Sequence, residues 1–190
     1  MINDMRVVRL ILSVVLSISA FQMSAQKLSV STNVLDWSSL GTFNGEASYA
    51  LGKHWSVGAD AKYNPFSYGK RANGKRMQAR QQSYSAGTRY WPWHIYSGWW
   101  LSGKIRYQEY NVGGILSEET VEGDRFGGGV GLGYTYMLHP HFNLEFGAGV
   151  WMGYGVYTKY RCPVCGPIEG KGEKFFILPS DAIIALAYVF

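Results

Sequence analysis

Cys162-Pro-Val-Cys165-Gly166 is the most reactive-looking motif in the 190-residue chain, and its two cysteines are all the chain has. A Cys-x-x-Cys pair supplies half of a zinc site, and a closed site needs four ligands. The imidazoles on offer are His54, His94, His139 and His141. All four fall in short turns, at the opposite end from the cysteines in the architecture derived below. An intrachain zinc site is therefore disfavoured. Redox work by such a pair needs a βαβ setting, and the chain has none. A local Cys162–Cys165 disulfide is the ordinary state of an exported chain, and the redox state outside the cell decides between it and free thiols.

Other chemistry is thinner. Ser180-Asp181 has no base partner in the sequence. Glu118-Glu119 reads as solvated loop charge rather than an acid–base pair. No phosphate loop, metal cluster or paired-carboxylate motif is present. The expectation is no enzyme, no cofactor and no metal. A lipid-modifying hydrolase, the enzymatic alternative, would need a serine with a histidine near the outer rim. A net charge of +5 is modest, and without a basic face or a known module it does not support nucleic-acid binding.

The elements that position these residues are strands. In Asp124–Tyr160, Phe126, Val130, Leu132, Tyr134, Tyr136 and Leu138 share one parity, and Gly127, Gly129, Gly131, Gly133 and Thr135 share the other. After Leu138-His-Pro-His141, Phe142, Leu144, Phe146, Ala148, Val150 and Met152 alternate with Asn143, Glu145, Gly147 and Gly149. Period two is a strand signal. No soluble core is built from glycine, so the apolar face is expected in lipid and the small face inside a narrow closed barrel. The same alternation places strands at 27–35, 43–51, 55–63, 81–91, 98–111 and 175–190. Eight strands result. Medium or long polar connections (36–42, 64–80, 112–123, 161–174) follow strands 1, 3, 5 and 7, and short turns follow the others. That rhythm predicts an all-β, eight-stranded antiparallel up-and-down transmembrane β-barrel, with its first strand paired to its last because open edges cannot sit in lipid.

The inward parity carries Glu46, Asp60, Lys62, Arg89, Lys104, Arg106 and Glu145. An eight-stranded barrel is just wide enough to be filled by side chains, so this mixture of signs predicts a paired polar plug; a proton or ion path is the alternative. Tyr49, Trp55, Trp91, Trp93, Trp99, Phe142 and Tyr188 read as an aromatic girdle at the turn end. The loop 64–80 is basic through Lys70, Arg71, Lys75, Arg76 and Arg80. The loop 112–123 is acidic through Glu118, Glu119 and Glu122.

Residues 1–25 read as a cleaved signal peptide. Arg6 and Arg9 precede the apolar run 10–21, and Ser24-Ala25 offers a small-residue cleavage site. A dozen or so apolar residues is too short for an ordinary membrane span. Cleavage removes Arg6, Arg9 and Asp4, taking 18 basic and 13 acidic side chains to 16 and 12. Residues 26–190 then form the barrel domain, with both termini on the periplasmic side. A mean hydropathy of −0.10 suits strands that are half polar.

The last strand, Phe175–Phe190, ends in Phe190 with Tyr188, Leu186 and Ile184 on its apolar face. It resembles the C-terminal signal that outer-membrane barrels present to their insertion machinery. Thr32-Asn-Val-Leu35, Tyr49-Ala-Leu-Gly-Lys-His-Trp-Ser-Val-Gly58 and Cys162–Gly166, in that order, resemble an uncharacterised family of small outer-membrane barrels of Bacteroides-type bacteria. The resemblance covers residues 27–190. It implies an outer-membrane location and genes lying near surface-fimbria components, and it supplies no catalytic residues. The functional expectation is a structural or surface-interaction protein of the bacterial outer membrane. Its partners would be membrane lipid, the insertion machinery and a fimbrial or other surface protein. The alternatives are an accessory of fimbria or secretion assembly, a narrow pore, and a lipocalin-like secreted barrel, against which the glycine and charge parities speak.

Overall fold

The structure, a computed structural model, describes residues 27–39, 41–70, 76–113, 119–161 and 168–190. The expected signal peptide and the pair Cys162 and Cys165 lie outside the described residues. The elements are β1 (Leu28–Asn33), α1 (Val34–Ser38), β2 (Phe43–Ala50), β3 (Trp55–Asn64), β4 (Ser67–Lys70), β5 (Arg76–Tyr90), β6 (Gly98–Gly113), β7 (Thr120–His139), β8 (Phe142–Tyr160) and β9 (Ile168–Val189). Every ladder is antiparallel. The sheet runs β3-β2-β1-β9-β8-β7-β6-β5-β4, and β3 also pairs with β5. That last ladder closes an eight-stranded barrel, because β4 pairs with β5 alone and stands outside the ring. The first and last barrel strands pair, with Ser29 opposite Val189. Both described chain ends therefore sit at the barrel end that carries the turns at 51–54 and 140–141.

The alternation places the side chains as read. Leu101, Ile105, Phe126, Val130, Leu132, Val150 and Met152 are all exposed, while Ser102, Arg106, Thr135 and Glu145 are buried. The barrel thus carries its apolar residues outside and its polar ones inside, the inverse of a lipocalin.

Three readings need correction. The stretches 64–80, 112–123 and 161–174 are not simply loops: β5, β7 and β9 begin at Arg76, Thr120 and Ile168. Their polarity reports solvent, and cross-strand ladders continue through polar residues, as in Glu109 opposite Asp124 and Asn111 opposite Glu122. The first strand stops at Asn33 rather than Leu35. Asn33 caps α1, its Oδ1 accepting from the Leu35 N–H at 3.3 Å. An asparagine oxygen satisfies an otherwise orphaned amide, which starts a helix where the ladder ends. Finally, Trp91 is not on the outer girdle. It is fully buried, because it continues the inward parity of Arg89, its backbone N–H still donating to the His54 carbonyl at 2.8 Å, and the segment after it folds under the barrel. Tyr96 takes φ 59 there, followed by Gly98 at φ 75.

Candidate functional site

The lumen is built in layers from the turn end outward. The first layer is an aromatic plug. Trp91 and Trp100 have no exposed surface, their rings lie 6.4 Å apart, and Tyr96 meets Trp91 edge-on at 5.7 Å. The Trp91 indole N–H donates to Ser56 Oγ at 3.0 Å. Tyr96 Oη sits 3.1 Å from the carbonyls of Lys27 and Ser48. Asn143 Nδ2 donates to the Tyr96 carbonyl at 2.9 Å.

The glycine face of β7 and β8 makes room for this plug. A Cβ on Gly147 would lie 2.8 Å from Trp100 Cη2 and 2.9 Å from its Cζ2. Gly147→Ala is therefore expected to overpack the base and cost about 1–3 kcal/mol. A Trp100→Leu background should relieve most of that added cost. Urea unfolding of the four proteins of this cycle checks it; strictly additive losses would mean the two positions do not share space.

The second layer is charged. Arg89 bridges Glu46 at 2.6 Å and Glu145 at 2.9 Å, and its guanidinium lies over the Trp100 ring at 4.6 Å. Lys104 Nζ is 3.7 Å from Glu46 and 3.8 Å from Asp60. Arg106 reaches Asp60 at 3.9 Å, and Ser85 Oγ donates to the same carboxylate. Six of the seven charges read from the sequence thus form one connected cluster. The seventh, Lys62, pairs at 2.7 Å with Asp36 on α1. Sequence reading missed Asp36 because it sits in a connection, where parity gives no direction. Cavities touching this network measure about 30 and about 10 Å³, no more than a single water's share of liquid volume.

The third layer joins Arg106, over the Trp151 ring at 5.4 Å, to Trp151 and Phe176, whose rings meet at 4.5 Å. Beyond it the lumen widens into a cavity of about 300 Å³ that includes Tyr110, Arg125, Tyr157, Lys159, Lys174 and Phe176 in its wall. Arg125 packs on the Tyr110 ring at 3.9 Å. These cations were not on the sequence-derived set. Two lie in or at the edge of stretches read as loop, yet Arg125 shares parity with Gly127 and Gly129, and extending the inward alternation two residues would have found it.

The histidines stay at the turn end. His54 and His141 each place Nδ1 2.8 Å from a backbone carbonyl, of Trp91 and Val189, and His94 does so at 3.0 Å with Ile95. These are structural bonds at the strand ends and turns. Among the described residues no group of His, Cys, Asp and Glu could hold a metal ion. The Ser180 and Asp181 side chains lie outside the described set. Tyr188 and Phe190 meet edge-on at 4.7 Å beside β1, with Tyr188 also stacked on His141 at 5.8 Å. No described helix is long and apolar enough to cross a membrane, which says nothing about strands.

No curated protein and no solved structure matches the chain. Residues 10–190 match the family described as "Protein of unknown function (DUF3575)", and with the whole barrel inside that match, the chain belongs to this family.

Proposed function

We propose that this protein is an integral barrel of the bacterial outer membrane, non-enzymatic, which holds its far end at the cell surface for interaction with another surface component. The observation that carries this reading is the outward apolar belt and its aromatic borders. Tyr84, Tyr107, Phe126, Tyr154 and Phe175 are successive register partners across five strands. All five are exposed. Toward the turn end, Trp55 packs on Tyr90, Trp99 on Tyr134, and Phe142 on Tyr188. Between the two borders β7 presents Val130 and Leu132, and β8 presents Val150 and Met152. Tyr134 and Tyr154 stand eight residues from Phe126 and Phe146 respectively. That is about 26 Å along a strand, or about 20 Å of height at a tilt of about 40°, close to the ~25 Å apolar band of outer-membrane barrels. A closed ladder leaves no backbone edge to be satisfied by water, which is what lipid requires.

The strand extensions beyond the upper aromatic row turn polar on their outward face. Gln82, Glu109, Asp124, Asn111 and Glu122 follow it, linked by side-chain hydrogen bonds such as Asn111 Nδ2 to Glu122 at 3.1 Å. The Tyr160 hydroxyl donates to Glu122 at 2.5 Å, and that bond pushes the phenol upward from its ordinary pKa. Such a face suits water beyond the headgroups. The termini and the histidine turns would then be periplasmic, and β9 would present the C-terminal signal to the insertion machinery. A packed lumen argues against the pore alternative, and the lack of a described serine–histidine pair gives no support to a hydrolase.

The test is orientation. With Cys162 and Cys165 replaced by Ser, a single cysteine at Lys171 should react with an impermeant maleimide on intact cells, and one at His139 only after lysis. Labelling of the His139 position from outside would reverse the orientation, and recovery of the protein in the soluble fraction would end the membrane reading.

A further inference from the structure

We propose that the wide end of the lumen is a binding site for an anionic monosaccharide, such as a sugar phosphate or a uronic acid. The proposal deepens the surface-interaction reading and rests on it for access to the cell exterior.

The cavity there, about 300 Å³, falls at the lower bound of the about 300–1,000 Å³ typical of small-molecule sites. Its composition is specific. Arg125, Lys159 and Lys174 supply three cations, while Tyr110, Tyr157 and Phe176 supply aromatic surface. Lys159 has a carboxylate partner, Glu119 at 3.7 Å, in a pair that is nearly half exposed. Among the described residues, Arg125 and Lys174 form no ion pair. This contrasts with the layer below, where every acid read from the sequence has a basic partner. The cavity wall therefore holds three cations and no carboxylate above a neutralised plug, an arrangement that favours an anion inside it.

The arginine is also preorganised. It lies 3.9 Å from the Tyr110 ring centroid and 5.7 Å from that of Phe176. Stacking fixes the guanidinium plane and leaves its N–H groups free, the geometry that suits bidentate contact with carboxylate or phosphate. Gly155 opposite lets the side chain lie close, since a Cβ there would come within 2.8 Å of Arg125 Cγ. Aromatic faces accept the C–H face of a sugar ring, and the Tyr110 and Tyr157 hydroxyls can donate to and accept from ring hydroxyls. The site is blind below, where Phe176 closes onto Trp151 at 4.5 Å, so a compact ligand fits it and an extended chain does not pass through.

Titration calorimetry on the full-length barrel in detergent tests this, with glucose 6-phosphate and glucuronate as probes. Glucose, inorganic phosphate and adenosine monophosphate are the comparisons. At least one anionic sugar should bind saturably, tenfold or more tighter than glucose or phosphate. Arg125→Gln with Lys174→Gln should weaken it at least tenfold while heat-modifiable gel mobility, which reports the folded barrel, is unchanged. Higher salt should weaken it as well. No saturable binding of either sugar, equal binding by the double variant, or tighter binding of the nucleotide would each overturn the proposal. None of these outcomes bears on membrane insertion, which the mobility and labelling measurements read separately.

Discussion

Arg89→Met is expected to lower the stability of the barrel by about 3–5 kcal/mol, the cost of stranding a buried charge. The guanidinium is the hub of the charged layer: it holds Glu46 at 2.6 Å and Glu145 at 2.9 Å. Its side chain is 8 % exposed and that of Glu145 only 3 %. Methionine keeps much of the volume against Trp100 but leaves Glu145 facing the aromatic plug without its bonding partner. The companion variant decides whether the loss is about charge. Arg89→Met with Glu145→Gln should recover a large part of it, since removing both members of a buried pair is often nearly neutral. Lys104→Met should cost less, because its contacts at 3.7 and 3.8 Å are longer and its side chain is 16 % exposed. Urea unfolding in detergent, followed by tryptophan emission, reads all three. Equal stability of Arg89→Met and the parent would place these charges in water.

The charged layer could be anticipated because period two is unforgiving: once Phe126 and Val130 define one face, Arg106 and Glu145 fall on the other. The register then aligns them, as in Arg106 opposite Gly127. Parity alone could not show which acid meets which base, since that depends on barrel shear. Nor could it handle segments outside the ladder. Tyr96 belongs to a turn that doubles back into the lumen, and Asp36 belongs to a five-residue helix. Both were invisible to alternation, and both complete the filling of the interior. The glycines were read as a sign of a narrow lumen. Their more particular role is to leave room for Trp100 and Trp151, since a Cβ added at Gly129 would come within 2.9 Å of the Trp151 Cβ. The mouth cations were missed for a different reason: at Lys174 polarity was taken to end the strand, whereas β9 runs on through Lys171-Gly-Glu-Lys174, and at Arg125 and Lys159 the alternation was not carried to the ends of the hairpin.

Val130→Arg should cost about 2–4 kcal/mol of folding free energy in lipid vesicles, the midplane cost of a cation on the lipid face of such a barrel. Val130 lies midway between Phe126 and Tyr134 on β7, and its register partner Val150 lies midway between Phe146 and Tyr154 on β8. Both are well exposed, Val130 at 62 %, so neither has a packed core to disrupt. In water an exposed valine to arginine change is worth little, usually within about 0.5 kcal/mol. The penalty therefore measures the surrounding solvent rather than the protein interior. Depth supplies the internal control. Tyr136→Arg, one turn-side step past the lower aromatic border, should cost only about 0–1 kcal/mol, and Lys171→Ala in the polar extension almost nothing. Vesicle-folding titrations of the four proteins give the profile directly. A graded loss that peaks at Val130 supports the membrane reading. A flat profile would mean that the apolar belt faces water or another protein, and the case for an integral outer-membrane barrel would fall with it.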